Sequence, residues 1–446
     1  MSTTSGDIHP LAEQRAVEAF IWGLPAVNFE RMVEAFGRLG GAFNQVLYWS
    51  RPLDGHNQSL TPNPDTVYFM PFFDLTDGPV VIEVPAANRG SITGSIMNSW
   101  QCALEDVGPA GADAGAGGRY VVVPPAYDGS AGAGGDIVLH CDTIRGYALL
   151  RSNIVSGSEA DVATSVAYGK RIKFHRLDEK GETSDTEFVD AAGQVFDSQI
   201  PYNREYFESL NRIVQAEPWL PRDRATIQTL ETLGIVRGRP FTPAEALQRV
   251  FDKAAQTARA YLDKRYEIFF DPPFLPGTHW AVPAPKEVIE GQQSGYADKD
   301  RYPTDDRGAL FSFIFFSAKR LGGGQFYLMA IEDANGAAFD GANCYRLTVP
   351  RDPPVTLYWS LTVYNRETHT LFTNTPRCSR ASNAEDLQHN SDRSTDIFIG
   401  PAAPDGLESN WVPTDPAAKF EVLFRLYGPT EALFNKTWRL PDIAPS

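Results

Sequence analysis

At 446 residues, with 42% hydrophobic and 22% charged residues, the chain exceeds what one hydrophobic core usually serves, so two or more lobes are expected. The net charge of −16 excludes a surface built for nucleic acid, whose phosphates call for Lys and Arg, and one built for anionic membranes. Its plain role is solubility.

No apolar run approaches the roughly 18 residues needed to cross a bilayer. The stretch Met1–Asp7 carries neither a basic start nor an apolar segment, so no secretion signal is expected. The four cysteines (Cys102, Cys141, Cys344, Cys378) are widely spaced and form no C-x-x-C pair. Together these features predict a cytoplasmic protein with reduced, mostly buried thiols.

The first predicted element is a helix opening near His9-Pro10, with Leu11, Ala16, Phe20, Ile21 and Leu24 at helical spacing. Gly23 and Pro25 predict a break, and a second helix is expected over 27–39, stopped by Gly40-Gly41. From about Thr66 to Arg151 the pattern changes to short strands. Segments 80–84, 92–97, 120–123 and 147–150 are the clearest, separated by Gly, Pro, Asn and Asp. Ala110–Gly118 and Gly129–Gly135 read as low-complexity loops.

The middle of the chain is helical. Segments 201–216 and 221–233 both start near a proline. Thr242-Pro243-Ala244-Glu245 reads as an N-cap, a first-turn proline and an acidic first turn. The helix it opens is expected to reach about Phe269, burying Ala246, Val250, Ala254, Thr257 and Tyr261. Segment 271–302, rich in Pro, Gly and Gln, reads as a long irregular connection of the kind that serves as a lid or wraps a neighbour. From Ala309 strand signals return, with the aromatic run Phe311–Phe316 among them and strands over 325–331, 344–349, 355–363, 396–399 and 420–426.

The cadence running from Val84-Pro85 to Trp100 recurs from Val349-Pro350 to Tyr364, which suggests two related β lobes. The expected fold class is therefore α+β and multidomain, with two β-sandwich-like lobes, an intervening helical segment and an N-terminal helix. The expected divisions are 1–60 (N-terminal helical segment), 61–195 (first β lobe), 196–305 (helices and Pro-rich connector) and 306–446 (second β lobe).

Two ordered sets of motifs carry a family resemblance. The first contains Trp22-Gly23-Leu24-Pro25, Asn63-Pro64-Asp65-Thr66-Val67-Tyr68 and Asn98-Ser99-Trp100. The second contains Pro353-Pro354, Trp359-Ser360-Leu361-Thr362-Val363-Tyr364, Asn410-Trp411-Val412-Pro413 and Arg425-Leu426-Tyr427. From about Ala16 to Pro441 the chain resembles a bacterial family of two consecutive domains of unknown function, DUF1254 followed by DUF1214. The resemblance implies β-sandwich lobes with helices, an oligomer, and a metal-dependent hydrolase. Two departures stand out: Trp22 where the family commonly carries Tyr, and Asp392-Arg393-Ser394 where it carries Asp-Gly-Ser. Arg at that glycine position predicts a different turn type or a side chain recruited to a ligand.

Among chemistry-bearing residues, Asn63-Pro64-Asp65-Thr66 is the sharpest motif, because Pro64 stiffens a turn that presents three polar side chains. Such a turn can hold a catalytic carboxylate or a metal ligand; it can also be an Asx-turn in which Asp65 satisfies backbone N–H groups. His56, nine residues before Asp65, is the candidate partner ligand for zinc or a similar divalent metal, with Asn63 beside them. The alternative for His56 is an ordinary surface loop.

His279 and His389 are candidates to complete such a site, and Glu105-Asp106 to act as acid or base; surface roles are the alternative for each. No nucleotide cofactor is expected, since Gly322–Gly324 lacks a P-loop's Lys-Ser/Thr and Gly115–Gly118 lacks the dinucleotide context. Trp100, Trp359, Tyr364, Trp411 and Tyr427 can line an apolar pocket or fill the cores. Arg425, between Phe424 and Leu426 on a strand, either clamps an anionic group or pairs with a buried Asp.

The leading expectation is a metal- or carboxylate-dependent hydrolase of a small, partly apolar substrate. A non-enzymatic binding protein for an anionic apolar small molecule, held through an aromatic pocket, is the second. A structural homo-oligomer wrapped by the Pro-rich segment is the third.

Overall fold

The computed structural model describes residues 9–446 except Arg89, Ser130, Ala133, 179–184, Ser317 and Gly323. The expectation for Met1–Asp7 and parts of those for the 129–135 loop and Gly322–Gly324 lie outside the described residues. Two β-sandwiches pack around a shared layer of helices.

The first sandwich pairs a six-stranded sheet with a four-stranded one. In spatial order the larger sheet runs Phe188–Asp190, Gln45–Tyr48, Val67–Asp74, Arg145–Ser152, Ile92–Asn98 and Ala103–Val107. The smaller runs Lys173–Arg176, Val80–Val84, Gly118–Val123 and Ile137–His140. The second sandwich pairs two four-stranded sheets. One runs Gln325–Ala330, Phe420–Tyr427, Trp359–Asn365 and Ser379–Ala381, and the other Trp411–Pro413, Thr395–Gly400, Tyr345–Val349 and Ala444–Pro445.

Strand alternation explains how the parts join. In Phe420–Tyr427 the even positions Phe420, Val422, Phe424 and Leu426 fill the second sandwich, while Glu421, Leu423, Arg425 and Tyr427 point out of it. Those outward residues are buried all the same. In Arg145–Ser152, Ala148 and Leu150 likewise enter the first sandwich, and Tyr147, Leu149 and Arg151 point the other way. One sheet of each sandwich is thus covered on both faces, its second face meeting the helices and the other lobe.

The helical layer centres on Ala12–Arg38, which contacts the helices Glu205–Ala216, Glu245–Ile268 and Thr304–Phe313. No break occurs at Gly23 or Pro25. Pro25 cannot donate to the Ile21 carbonyl, yet every residue from Phe20 to Glu30 is buried. Packing on all sides outweighs one missing hydrogen bond. Gly308 of the Thr304–Phe313 helix sits against that carbonyl, and a Cβ there would stand 2.8 Å from the Ile21 oxygen.

Other expectations shift. The helix expected from Thr242-Pro243 begins at Glu245, with Ala244 in extended conformation at its N-cap and no side-chain cap. Its buried stripe is Phe251, Ala254, Ala255, Ala258, Leu262 and Tyr266, whereas Tyr261 is exposed, because the small alanines let the first helix approach closely. Phe311–Phe313 is helical rather than strand, an ambiguity inherent in short fully buried runs. The Pro-rich connection contains a helix, Lys286–Ser294, ended by Gly295 in the left-handed conformation.

Arg393 keeps the backbone shape glycine would adopt, with φ +70°. The turn is held by Asp392, which accepts from the Ser394 amide and hydroxyl, and the Arg393 side chain reaches exposed Asp352. No helix among the described residues is long and apolar enough to cross a membrane.

Gly308→Ala is expected to destabilise the protein by about 1–3 kcal/mol, since backbone must yield where the two helices touch. A thermal melt should show Tm several degrees lower with unchanged far-ultraviolet circular dichroism. An unchanged Tm would show that the contact is slack.

Candidate functional site

The Asn63-Pro64-Asp65-Thr66 turn lies where the two sandwiches meet, and Asn63 rather than Asp65 makes the turn. The Asn63 Oδ1 accepts from the Asp65 amide at 3.0 Å, and the Asn63 Nδ2 reaches across to the Tyr427 hydroxyl of the second lobe. That leaves the Asp65 carboxylate for other partners. Its Oδ1 accepts from Ser379 Oγ at 2.8 Å, while its enclosed Oδ2 has no hydrogen-bond partner in the protein. The Ser360 hydroxyl stands beside the carboxylate without a well-formed hydrogen bond to it. Burial raises the pKa of Asp65, opposed by the Ser379 bond and by the nearby Arg425 charge.

Arg425 projects from the centre of its sheet and is 1% exposed. Its guanidinium donates to Thr362 Oγ1 at 2.7 Å, to the Thr61 carbonyl at 3.1 Å and to the Tyr364 hydroxyl. Its Nε donates to nothing in the protein. Arg151 occupies a comparable place in the first lobe. It is 6% exposed, its Nε lies 3.4 Å from the Tyr68 hydroxyl, and its Nη1 has no partner.

The two lobes repeat one arrangement. Arg151 is the cross-strand neighbour of Tyr68, and Arg425 that of Tyr327. Each guanidinium lies over its neighbour's ring, at 5.2 Å and 5.4 Å from the centroid. Among the described residues neither arginine has a carboxylate within 4.0 Å. Burial works against both charges and the surrounding tyrosine oxygens favour them, so both arginines stay cationic.

Both arginines line one narrow cavity, with about 40 Å³ open to the centres of water-sized spheres. Thr61, Asn63, Tyr68 and Tyr327 supply further polar groups, and Met32, Trp49, Leu53, Met70, Leu149, Phe196, Ile314, Phe315 and Leu423 the apolar wall. Arg151 and Tyr427 also line a second cleft, with Thr93, Asn153, Arg320 and Gln325.

Of the residues singled out from sequence, Asn63, Asp65, Tyr364, Arg425 and Tyr427 gather at this junction. The others do not. His56 is half-exposed and bonds Asp54 at 2.8 Å; it shares no partner with Asp65. Among the described residues no group of three or more His, Cys, Asp and Glu could hold a metal ion. The donor set therefore does not fit the divalent metal suggested by sequence, and no chemistry is derived through one.

Trp100 packs on Trp22 at 4.7 Å, Trp359 stacks on Phe424 at 5.3 Å, and Trp411 donates to the Gly400 carbonyl. Glu105 pairs with Arg320, Asp106 accepts from Ser95 and two backbone amides, His279 bonds Asp442 and His389 bonds Thr395. Arg151 and Tyr327 were not singled out, and Tyr68 figured only within the Asn63–Tyr68 motif. Arg151 carries the same signal as Arg425, an arginine within an apolar strand, in Tyr147-Ala148-Leu149-Leu150-Arg151.

Residues 43–175 match DUF1254 and residues 324–431 match DUF1214, each described as a protein of unknown function, in the order the motifs indicate. The chain belongs to the two-domain DUF1254–DUF1214 family. The two matched segments contribute one arginine each to the cavity, so the site of this DUF1254–DUF1214 protein is built by both domains.

Among solved structures, a protein from Vibrio parahaemolyticus is similar over 98% of this chain and 100% of its own, at 16% identity and TM-score 0.59. That likeness is one of fold. An uncharacterised protein from Burkholderia cenocepacia covers 98% and 94%, at 10% identity and TM-score 0.44. No curated protein matches the chain by sequence.

Asp65 yields a pH prediction. A carboxyl whose folded pKa lies above its ordinary 3.8 binds more protons folded than unfolded. Its contribution is therefore present below 3.8 and is lost as pH rises through the folded value. Relative to the parent, Asp65→Asn should gain stability as pH rises from 4 in denaturant titrations. A difference independent of pH would show that Asp65 does not titrate as its burial requires.

Proposed function

We propose that this protein binds a small carboxylate with an apolar body in the cavity between its two lobes. One observation carries the reading: two buried arginines, one from each lobe, line one cavity and have no carboxylate within 4.0 Å among the described residues. Buried charges are normally paired, because an isolated ion in a protein interior costs several kcal/mol. A ligand anion would supply the missing charge, while the Met, Leu, Ile, Phe and Trp wall would receive an apolar tail. Arg425 thus takes the clamping role rather than the pairing one. The hydrolase expectation draws no comparable support, since His56 and Asp65 share no partner.

Calorimetric titration of the purified protein with sodium butyrate and sodium benzoate tests this, with 1-butanol and sodium chloride as controls. The carboxylates should bind and the alcohol should not. Arg151→Met should weaken binding more than about tenfold while leaving Tm unchanged or raised, because the substitution orphans no carboxylate. Equal binding of acid and alcohol, no binding of either carboxylate, or an Arg151→Met variant that binds normally would overturn the proposal.

A further inference from the structure

The cavity between the lobes is closed. All of its lining residues except Phe315 and Tyr327 are buried. Its volume of about 40 Å³ admits only a few waters, at roughly 10–15 Å³ for each, which is less than the body of even butyrate fills. The ligand proposed above therefore enters only if a side chain moves, and the route described below rests on that reading.

The second cleft adjoins the cavity. On the six-stranded sheet Tyr68, Arg151 and Thr93 are cross-strand neighbours on three adjacent strands and share the face that leaves the sandwich. Tyr68 lines the cavity, Thr93 lines the cleft, and Arg151, between them, lines both. Among the described residues the two linings have no other member in common. The facing sheet carries the same boundary. Its Tyr327–Arg425 pair lines the cavity, and Gln325–Tyr427, the next pair on that face, lines the cleft. Unlike the cavity, the cleft reaches the surface, with Arg320, Gly324 and Leu357 exposed along it.

The members of this boundary are held unequally. Tyr427 is bonded to Asn63 and stacked on Tyr358 at 4.2 Å. Arg425 is fixed by its bonds to Thr362, the Thr61 carbonyl and Tyr364. Arg151 has, among the described residues, one long hydrogen bond, from Nε to the Tyr68 hydroxyl at 3.4 Å. We infer that the cleft is the entrance to the cavity and that the Arg151 side chain is its gate. Turned toward Thr93, the guanidinium opens the partition and meets an incoming carboxylate in the cleft. Turned back over Tyr68, it closes the cavity with the carboxylate paired.

Stopped-flow fluorescence with sodium butyrate on the full chain tests this, since Trp49 lines the cavity. The observed rate should level off at high butyrate, because the ligand waits for the gate. Thr93→Phe and Gln325→Phe, from opposite walls of the cleft, should each slow entry and exit together by about tenfold while Kd stays within about twofold. Either variant serves if the other does not fold. Arg151→Ala should raise the plateau rate at least about fivefold, although it weakens binding; charge loss alone would lower the initial slope and leave the plateau in place. Parent rates in both cleft variants, or a plateau that Arg151→Ala does not raise, would overturn this inference and leave carboxylate binding standing. So would calorimetric binding of butyrate with no change in fluorescence. Failure of butyrate to bind the parent protein would overturn both.

Discussion

Two guanidinium groups are buried at the junction between the sandwiches with no carboxylate within 4.0 Å among the described residues, and much of the local structure is arranged around them. Tyrosines from both lobes surround the charges: Tyr68 and Tyr327 as cross-strand neighbours, Tyr364 as a hydrogen-bond acceptor, and Tyr427 tied to Asn63. Phenol oxygens and ring faces stabilise a cation without cancelling it. An aspartate at contact distance would cancel it. Asp65 is near enough to feel Arg425 but is held by Ser379, and its own burial disfavours the charged form. The junction therefore holds two cations in a chain that as a whole carries −16.

The junction also joins the domains. The Asn63-Pro64-Asp65 turn of the first lobe is fastened to the second through Tyr427, Ser379, Tyr358 and Tyr364, the last accepted by the Pro62 carbonyl. Thr61 is held by the His369 carbonyl, while His369 bonds Glu421, four residues before Arg425 on the same strand face. Polar contacts of this kind are directional, so they set the position of one sheet against the other where apolar packing alone would allow sliding. The cavity exists because two polar sheet faces are held at a fixed distance, with the helical layer closing the remaining side.

An Arg–Tyr cross-strand pair is repeated between the lobes. In each lobe an arginine stands on an interior strand with a tyrosine on the adjacent one, both on the face that leaves the sandwich. Two such faces brought together produce a chamber with one cation from each side, a concave site at a domain interface.

Sequence by itself determined the family, the α+β class and most of the strands, and it drew attention to Arg425, Asn63 and Asp65, which meet at the junction of the lobes, because strand alternation, turn chemistry and a charge amid apolar neighbours are local signals. It also misdirected. Pro25 and Gly23 suggested a break that burial on all sides removes, and the aromatic run at 311–316 looked like a strand although its buried part is helical. His56 and Asp65 looked like co-ligands because they are close in sequence, yet the chain turns their side chains to different partners. Which polar strand residues face solvent and which face a second lobe was beyond the sequence. Alternation reports that a face is polar, and only tertiary packing decides whether water or another sheet covers it. For that reason Arg151 and Tyr327, whose local patterns are unremarked alone, line a shared cavity only when the two lobes meet.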